Sequence, residues 1–460
     1  MTNIPLPGLE GYLNQTSVGT AVHRPVHYLG SKLRLTPVIS AIVEELNPRR
    51  GRVVDLFSGS GVVASALGQR QEVVAVDIQE YARVLASALL QPRQLSRASL
   101  ESLVAPILAD ELGQQLVQAW QPLLVAEATA IHAAASGDSE PLAELLESLP
   151  LAAHRPDGFD AVPARFRSAF LDVSESLAAS RLDSSADSVL SRYYGGLYFG
   201  IEQSTHLDVL ASRAIGLTQA ERDTAVTGVL STASAAVGTV GKQFAQPLRP
   251  RTRDGLPKAA LWRRVAKDRS LNVLDTFRQS IELLSGRPSA KAGSYAVRAD
   301  YREFLGSFDQ SVSVTYADPP YTRDHYSRFY HVLETISLHD EPSLSHSNLD
   351  RSRVSRGVYR TGRHQSPFSI VSEAPAAFDD LFALVRQHDS SLVLSYSPHL
   401  EHGASRPRVI DVERLTDMAS EYFDRVRRVD VEGFAHSKLT RSDLHLSAPE
   451  SAELLLVCSP

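Results

Sequence analysis

The sequence is poor in cysteine, in long apolar runs and in net charge. Its 460 residues contain one cysteine, Cys458, which excludes a disulfide framework and any zinc site built from several thiolates. No apolar run approaches the roughly 20 residues that cross a bilayer, and the N-terminus lacks the basic-then-apolar pattern of a signal peptide. The net charge of −6 is mild, so a nucleic-acid surface requires local basic patches. We therefore expect a cytoplasmic protein in a reducing compartment.

Metal-ligand spacing is also missing. The fifteen histidines form no HExxH motif and no other paired metal spacing, so we expect no bound metal.

Strand and helix patterns alternate at both ends of the chain. Apolar, β-branched runs such as RVVDLF and EVVAVD are typical of buried parallel strands. From about residue 91 apolar residues recur at helical spacing, and strand patterns return with SVSVTY, SSLVLSYS and ELLLVCS. We predict an α/β fold with a doubly wound, mostly parallel sheet that a large helical insertion interrupts. The expected boundaries are a first half at 20–90, the insertion at 91–295 and a second half at 296–460.

A glycine turn follows the first predicted strand in RVVDLFSGSG, residues 52–61. Gly59 and Gly61 allow a ligand to approach the backbone, and Asp55 lies within the strand. Asp77 ends the next strand, where its carboxylate can accept hydrogen bonds from both hydroxyls of a ribose. The pattern predicts a nucleotide-type cofactor site, but GSGVVA also satisfies the GxGxxA fingerprint of NAD-binding proteins.

The order of four motifs resembles one family. DLFSGSG, VVAVD, VRADYREFL and DPPY are similar in sequence and order to the motifs of class I S-adenosylmethionine-dependent DNA amino-methyltransferases. HYLGSKLRL at 27–35 resembles the segment before the glycine motif in their alpha group, which includes adenine-specific enzymes that modify GATC. The resemblance implies a class I methyltransferase-type sheet, S-adenosylmethionine as cofactor, and a target-recognition lobe within the insertion.

The segment ADPPY at 317–321 suits chemistry on an adenine amine. This amine is a poor nucleophile, so hydrogen-bond acceptors have to hold its N–H groups. Asp318 offers a carboxylate, Pro319 offers a carbonyl without a competing N–H donor, and with Pro320 it restricts the loop. Tyr321 can stack on a base that has left the double helix. The alternative is an exposed turn in which the prolines only end a strand.

The resemblance also implies further cofactor contacts. Tyr28, Gly30 and Lys32 are expected to cover the methionine end of the cofactor, with Lys32 near its carboxylate, although Lys32 also suits a surface position. Phe57 is expected either to pack on the cofactor or to lie in the core. Asp300, with Tyr301 beside it, is expected to contact the adenine amine of the cofactor or to act as a helix N-cap.

Two basic runs with aromatic or glycine residues suit contact with DNA phosphates: RPRTRDG with WRRVAKDR at 250–269, and DRSRVSRGVYRTGRH at 350–364. Solvated charged surface is the competing interpretation. The predicted contacts are Arg251, Arg253, Arg263, Arg264, Arg351, Arg353, Arg356 and Arg360.

The sequence therefore predicts a site-specific adenine methyltransferase that acts on double-stranded DNA in a restriction-modification or phage-defence setting. A cognate nuclease or defence subunits are possible partners, and a monomer is the default. Three alternatives stay open: methylation of the exocyclic amine of cytosine, an NAD- or nucleotide-dependent enzyme, and a non-catalytic DNA-binding component of a larger assembly.

Overall fold

The computed structural model describes residues 25–154, 158–239, 241–320, 326–347, 351, 353–396, 409–432 and 451–460. Seven strands are described: β1 (Val53–Leu56), β2 (Val73–Asp77), β3 (Tyr295–Arg298), β4 (Val314–Ala317), β5 (Ser391–Tyr396), β6 (Arg425–Glu432) and β7 (Ser451–Ser459).

Seventeen α-helices are described in the same residues. The first nine are α1 (Thr36–Leu46), α2 (Val62–Gly68), α3 (Glu80–Leu90), α4 (Arg97–Leu103), α5 (Glu111–Ala135), α6 (Glu140–Ser148), α7 (Ala164–Ala179), α8 (Val189–Tyr194) and α9 (Ile201–Ile215). The others are α10 (Gln219–Ala236), α11 (Leu261–Arg269), α12 (Val273–Ser285), α13 (Tyr301–Ser307), α14 (Tyr326–Phe329), α15 (His331–Leu338), α16 (Ala374–Gln387) and α17 (Val412–Ser420). None of these helices is long and apolar enough to cross a bilayer.

The strands form one sheet in the order β3-β2-β1-β4-β5-β7-β6. The neighbours from β3 to β5 pair in parallel, whereas β7 pairs antiparallel with both β5 and β6. The chain starts near the middle of the sheet, at β1, and builds outward in both directions, as in a doubly wound fold. This order and the single antiparallel strand confirm the predicted class I methyltransferase-type fold.

Burial on both faces explains why the central strands are almost continuously apolar. Val54 and Leu56 of β1 pack into a core that includes Phe378 of α16, while Val53 packs into a second core with Ile39 of α1. Since successive side chains of a strand point to opposite faces, each strand supplies both cores. The cores hold the strand ends firmly, and these ends carry the site described below.

The chain divides into two compact units. Unit 1 comprises residues 1–93, 286–326 and 364–460, and unit 2 comprises residues 94–285 and 327–363. The sequence placed 327–363 in the second half of the catalytic domain, whereas this segment clusters with the helical unit. A strand-free stretch that follows the DPPY motif gives no local signal of where its contacts lie.

Unit 2 is built around the long helix α5. Trp120 of α5 and Phe170 of α7 are fully buried in its core. The described part of this unit contains isolated bridges but no strand of the sheet.

Candidate active site

The turn between β1 and α2 needs glycine at two positions. Gly59 has φ +51 and Gly61 has φ +72, a left-handed conformation that side chains with a Cβ rarely adopt. A Cβ on Gly61 would lie 2.8 Å from the Cα of Ala86, and one on Gly59 would lie 2.7 Å from the Oη of Tyr28. The turn therefore presents bare backbone, with Tyr28 beside Gly59.

The carboxylate of Asp77 is hydrogen-bonded to this turn. The backbone N–H of Gly59 donates to its Oδ2 over 2.9 Å, and the N–H of Gln79 donates to its Oδ1 over 2.9 Å. Burial raises the pKa of Asp77 to about 6, although these two backbone donors act in the opposite direction. That this carboxyl accepts hydrogen bonds from ribose hydroxyls stays a prediction.

Asp55 is a buried acid in the middle of the sheet, 1% exposed. Burial raises its pKa well above the ordinary range, a backbone hydrogen bond from Ala64 opposes this, and the charges of Asp318 and Asp77 add to it. Among the described residues its Oδ2 has no hydrogen-bond partner, and neither has the hydroxyl of Tyr316, which is opposite Asp55 in the register of β1 and β4. Unsatisfied buried polar atoms of this kind indicate a place for a ligand or an ordered water.

Asp318 directly follows β4 and forms an ion pair with Lys32. The Nζ of Lys32 lies 3.0 Å from Oδ2 of Asp318 and 3.3 Å from Oε1 of Glu453, and it donates to the carbonyl of Gly30 over 3.3 Å. Lys32 is only 4% exposed and Glu453 only 1%, so this is a buried lysine between two carboxylates. The surface position considered for Lys32 is wrong; the predicted contact with the cofactor stays a prediction.

Polar side chains cross one face of the sheet near the carboxyl ends of its parallel strands. In sheet order they are Asp77 of β2, Asp55 of β1, Asp318 after β4, Ser395 of β5 and Glu453 of β7. The Oγ of Ser395 donates to Oε1 of Glu453 over 2.7 Å. Ligands of open α/β sheets bind at this edge, where the order of strands reverses.

Phe57 lies in an aromatic group. Its ring centroid is 5.4 Å from that of Tyr301 and 5.3 Å from that of Phe368, and it joins the edge of the core below the turn. Tyr301 is 4% exposed and its hydroxyl donates to the carbonyl of Ala377 over 3.1 Å. Both residues therefore have a packing role in this structure.

Asp300 caps helix α13. Its Oδ1 accepts a hydrogen bond of 2.9 Å from the backbone N–H of Arg302, which is the N-cap arrangement that the sequence left open. The N–H of Ala299 donates to the carbonyl of Asp77 over 3.0 Å, so Asp300 follows directly on the strand beside Asp77. A contact with the cofactor's adenine amine stays a prediction.

The structure describes the first part of the predicted catalytic segment, up to Pro320. Pro319 and Pro320 follow Asp318 outside any helix or strand. Tyr321 lies outside the described residues.

Cys458 is buried in β7, and burial raises its pKa to about 12. Its thiol is therefore protonated at neutral pH and unsuited to act as a nucleophile.

Comparison with known proteins agrees with this geometry. Residues 28–110 and 279–382 match the family model of D12 class N6 adenine-specific DNA methyltransferases. These ranges include the turn, Asp55, Asp77, Asp300 and Asp318. In these two ranges the chain is similar to this family. It is also similar to modification methylase LlaI of Lactococcus lactis subsp. lactis, with 26% identity over 175 residues that cover 37% of this chain and 25% of that protein. The chain thus spans about a quarter of the length of this relative.

Sequence analysis missed two residues next to the predicted site, Glu453 beside Lys32 and Tyr316 opposite Asp55. Glu453 lies outside both matched ranges, and an acid inside the apolar run ELLLVC was its only signal. Tyr316 precedes Asp318 by two positions in a strand and so lies on the same face, but its orphaned hydroxyl has no sequence signal.

Of the arginines predicted to bind DNA, several have acidic partners within unit 2. Arg251 pairs with Glu140 and Glu147 at 2.5 and 2.9 Å. Arg360 pairs with Asp340 at 2.7 Å. Arg264 lies 3.5 Å from Asp268. These carboxylates neutralise much of the charge, so structural roles compete with DNA contact at these positions.

The other predicted DNA contacts lie in varied surroundings. Arg263 lies over the ring of Trp262 at 5.6 Å, and Arg356 donates to the carbonyl of Leu248 over 2.9 Å. The remaining three, Arg253, Arg351 and Arg353, are exposed.

Proposed function

We propose that this protein transfers a methyl group from S-adenosylmethionine to the exocyclic N6 amine of adenine in double-stranded DNA, after the base has turned out of the helix. The observation that carries the proposal is the position of Asp318, which follows the central strand β4 in a sheet of class I order and is held by the buried Lys32. The D12 class match over both halves of the sheet supports adenine as the target base.

The residues around the glycine turn suit the cofactor. Gly59 keeps the backbone of the turn bare beside Tyr28, where a Cβ would collide with the tyrosine hydroxyl. Asp77, held by two backbone N–H donors, is proposed to accept hydrogen bonds from the ribose hydroxyls. Asp55 has a buried oxygen without a partner among the described residues. When bound, S-adenosylmethionine supplies an electrophilic methyl group on a sulfonium.

Asp318 has the role of hydrogen-bond acceptor. In our proposal its carboxylate accepts an N–H of the adenine amine and holds the nitrogen lone pair toward the methyl group, while the carbonyl of Pro319 accepts the second N–H. The bond between nitrogen and the methyl carbon would form as the carbon–sulfur bond breaks, so that the sulfonium would leave as a neutral thioether. The fixed carboxylate would stabilise the positive charge on the nitrogen until one N–H proton passes to solvent. Lys32 positions Asp318, because a buried ammonium 3.0 Å away restricts the carboxylate.

The target base has to be extruded before this geometry can apply. The N6 group of adenine inside a duplex is out of reach of a group at a sheet edge, so enzymes of this kind accept a flipped base. Tyr321 is proposed to stack on that base. The name of the similar protein, a modification methylase, supports a DNA-modification setting such as restriction-modification. A nuclease partner and a monomeric enzyme are further parts of the proposal.

A direct assay tests this function. The purified protein is incubated with methyl-labelled S-adenosylmethionine and a pool of duplexes of varied sequence, and the DNA is digested to nucleosides. We expect the label in N6-methyladenine for the wild type and none for Asp318→Ala. Label in N4-methylcytosine would instead support the cytosine alternative, and no transfer with retained DNA binding would support a non-catalytic component.

A further inference from the structure

A second cluster of functional groups lies in unit 2, outside the site above. The guanidinium carbons of Arg328 and Arg363 lie over the ring of Tyr359, 5.4 and 5.0 Å from its centroid. The ring of His331 lies edge-on to this ring, with a centroid distance of 5.0 Å. We call Arg328, Tyr359 and Arg363 the arginine–tyrosine cluster.

Within the part of the chain that the structure describes, no acid balances the positive charge of this cluster. Among the described residues neither Arg328 nor Arg363 has a carboxylate within ion-pair distance, whereas the nearby Arg360 is paired with Asp340. Burial lowers the pKa of Arg363, and the charge of Arg328 adds to this effect. Burial also lowers the pKa of Arg356. The positive charge of Arg249 lowers it further, whereas the charge of Glu147 opposes this effect. Guanidiniums that repel one another in a partly desolvated place favour an anion.

The backbone under Tyr359 is strained. Val358 has φ +47, a conformation that β-branched residues rarely adopt, and it is 1% exposed. A Cβ on Gly357 would collide with the ring of Tyr359. The hydroxyl of Tyr198 donates to the carbonyl of Gly357 over 3.0 Å. Strain of this kind persists only where the surroundings enforce it, and it concentrates at binding and catalytic sites.

His331 adds an unsatisfied polar atom. The residue is 1% exposed, its Nε2 contacts the carbonyl of Phe244 at 3.0 Å, and its Nδ1 has no partner among the described residues. Burial lowers the pKa of His331 to about 3, and Arg363, Arg360 and Arg328 contribute to this. The imidazole is therefore neutral at physiological pH and adds no charge.

From the two arginines without an acidic partner among the described residues, the strained backbone at Val358 and the buried His331, we infer that the arginine–tyrosine cluster binds a phosphate of the DNA backbone. Because two guanidiniums already lie over the ring of Tyr359, we do not expect a base to stack on this ring. The N–H groups of the guanidiniums match the oxygens of a phosphate and are the groups that we expect to bind the ligand. This inference rests on the proposed function, since it takes duplex DNA as the substrate. It assigns Arg328 and Arg363 in addition to the arginines expected from the sequence.

The test is the salt dependence of binding to a short DNA duplex, measured for the wild type and for Arg328→Gln/Arg363→Gln. We expect the magnitude of the slope of log K against log salt to fall by about 0.9, because the cluster neutralises one phosphate and each neutralised phosphate contributes about 0.9. The control is Arg97→Gln/Arg165→Gln, which removes two arginines of unit 2 that have acidic partners, Glu101 and Glu144. The control should retain the wild-type slope.

A slope of the double variant equal to that of the wild type would overturn the inference. If the double variant does not fold, the single variant Arg363→Gln should lower the magnitude of the slope by up to about 0.9, and an unchanged slope there overturns the inference as well. If the double variant loses slope but the wild type transfers no methyl group, the proposed function is contradicted and the inferred phosphate site stands. A wild type that binds no duplex overturns both.

Discussion

At the scale of single residues, the central feature is a buried lysine shared by two carboxylates. Asp318 is foreseeable from sequence, because DPPY brings together an acid and restrictive prolines at a strand end. The ion pair is not foreseeable, since Lys32, Asp318 and Glu453 are distant in sequence and meet only when β7 inserts beside β5. The burial of Lys32 likewise depends on tertiary packing and not on its neighbours in HYLGSKLRL.

Removal of the lysine charge should be costly. Lys32→Met leaves Asp318 and the buried Glu453 without their shared counter-charge, so we expect the free energy of unfolding to fall by about 3–5 kcal/mol. Urea denaturation measures this. The control Lys291→Met changes an exposed lysine of the same unit and should cost less than about 0.5 kcal/mol. Equal, small effects of both variants would show that the ion pair does not stabilise the fold.

Asp77 gives a prediction on pH. Its pKa of about 6 means that the carboxyl gains a proton as the pH falls through 6, and a protonated carboxyl is a weaker acceptor for ribose hydroxyls. We therefore expect the affinity for S-adenosylmethionine to decrease from about pH 7.5 to about pH 5. Isothermal titration calorimetry at both pH values measures it.

The control for this pH effect is Asp77→Asn, which cannot ionise and should bind weakly with little change between the two pH values. A wild-type affinity for S-adenosylmethionine that does not depend on pH would contradict the assigned role.

The raised pKa of Asp77 has the opposite consequence for the stability of the fold. The fold prefers the neutral form of Asp77, so its ionisation lowers stability as the pH rises from about 4 to about 6.

At the scale of elements, the β1–α2 turn shows how far sequence reaches. The two glycines after an apolar strand predicted a tight approach of backbone to ligand, and their positive φ angles confirm the need for glycine. Which residue lies next to each glycine depends on tertiary packing and cannot be read from the local sequence. Gly61 faces the backbone of α3 at Ala86, whereas Gly59 faces the side chain of Tyr28.

This difference predicts unequal effects of alanine. Gly61→Ala should lower the free energy of unfolding by about 1–3 kcal/mol from the left-handed conformation alone, with a further cost because the backbone of Ala86 cannot move aside. Gly59→Ala should be less destabilising, since the Tyr28 side chain can rotate, but it should weaken cofactor binding. Thermal denaturation and calorimetric titration separate the two. A larger loss of stability for Gly59→Ala would contradict the assigned packing.

At the scale of the whole molecule, the alternation of strand and helix patterns was enough to predict a parallel sheet with a helical insertion. The position of the last strand was not predictable, because nothing in ELLLVCS distinguishes an edge strand from one inserted antiparallel between β5 and β6. The boundary of unit 2 also escaped sequence reasoning. Residues 327–363 carry no strand signal, and their assignment depends on contacts with helices far away in sequence.

The central claim is that Asp318 serves the methylation of adenine in DNA. Modification-sensitive sequencing of DNA from cells that express the wild type or Asp318→Ala tests it most directly, with calorimetry to check that the variant still binds S-adenosylmethionine. We predict N6-methyladenine at one sequence motif for the wild type and none for the variant. The same marks with Asp318→Ala, or unmarked DNA from cells with abundant folded wild type, would contradict the claim.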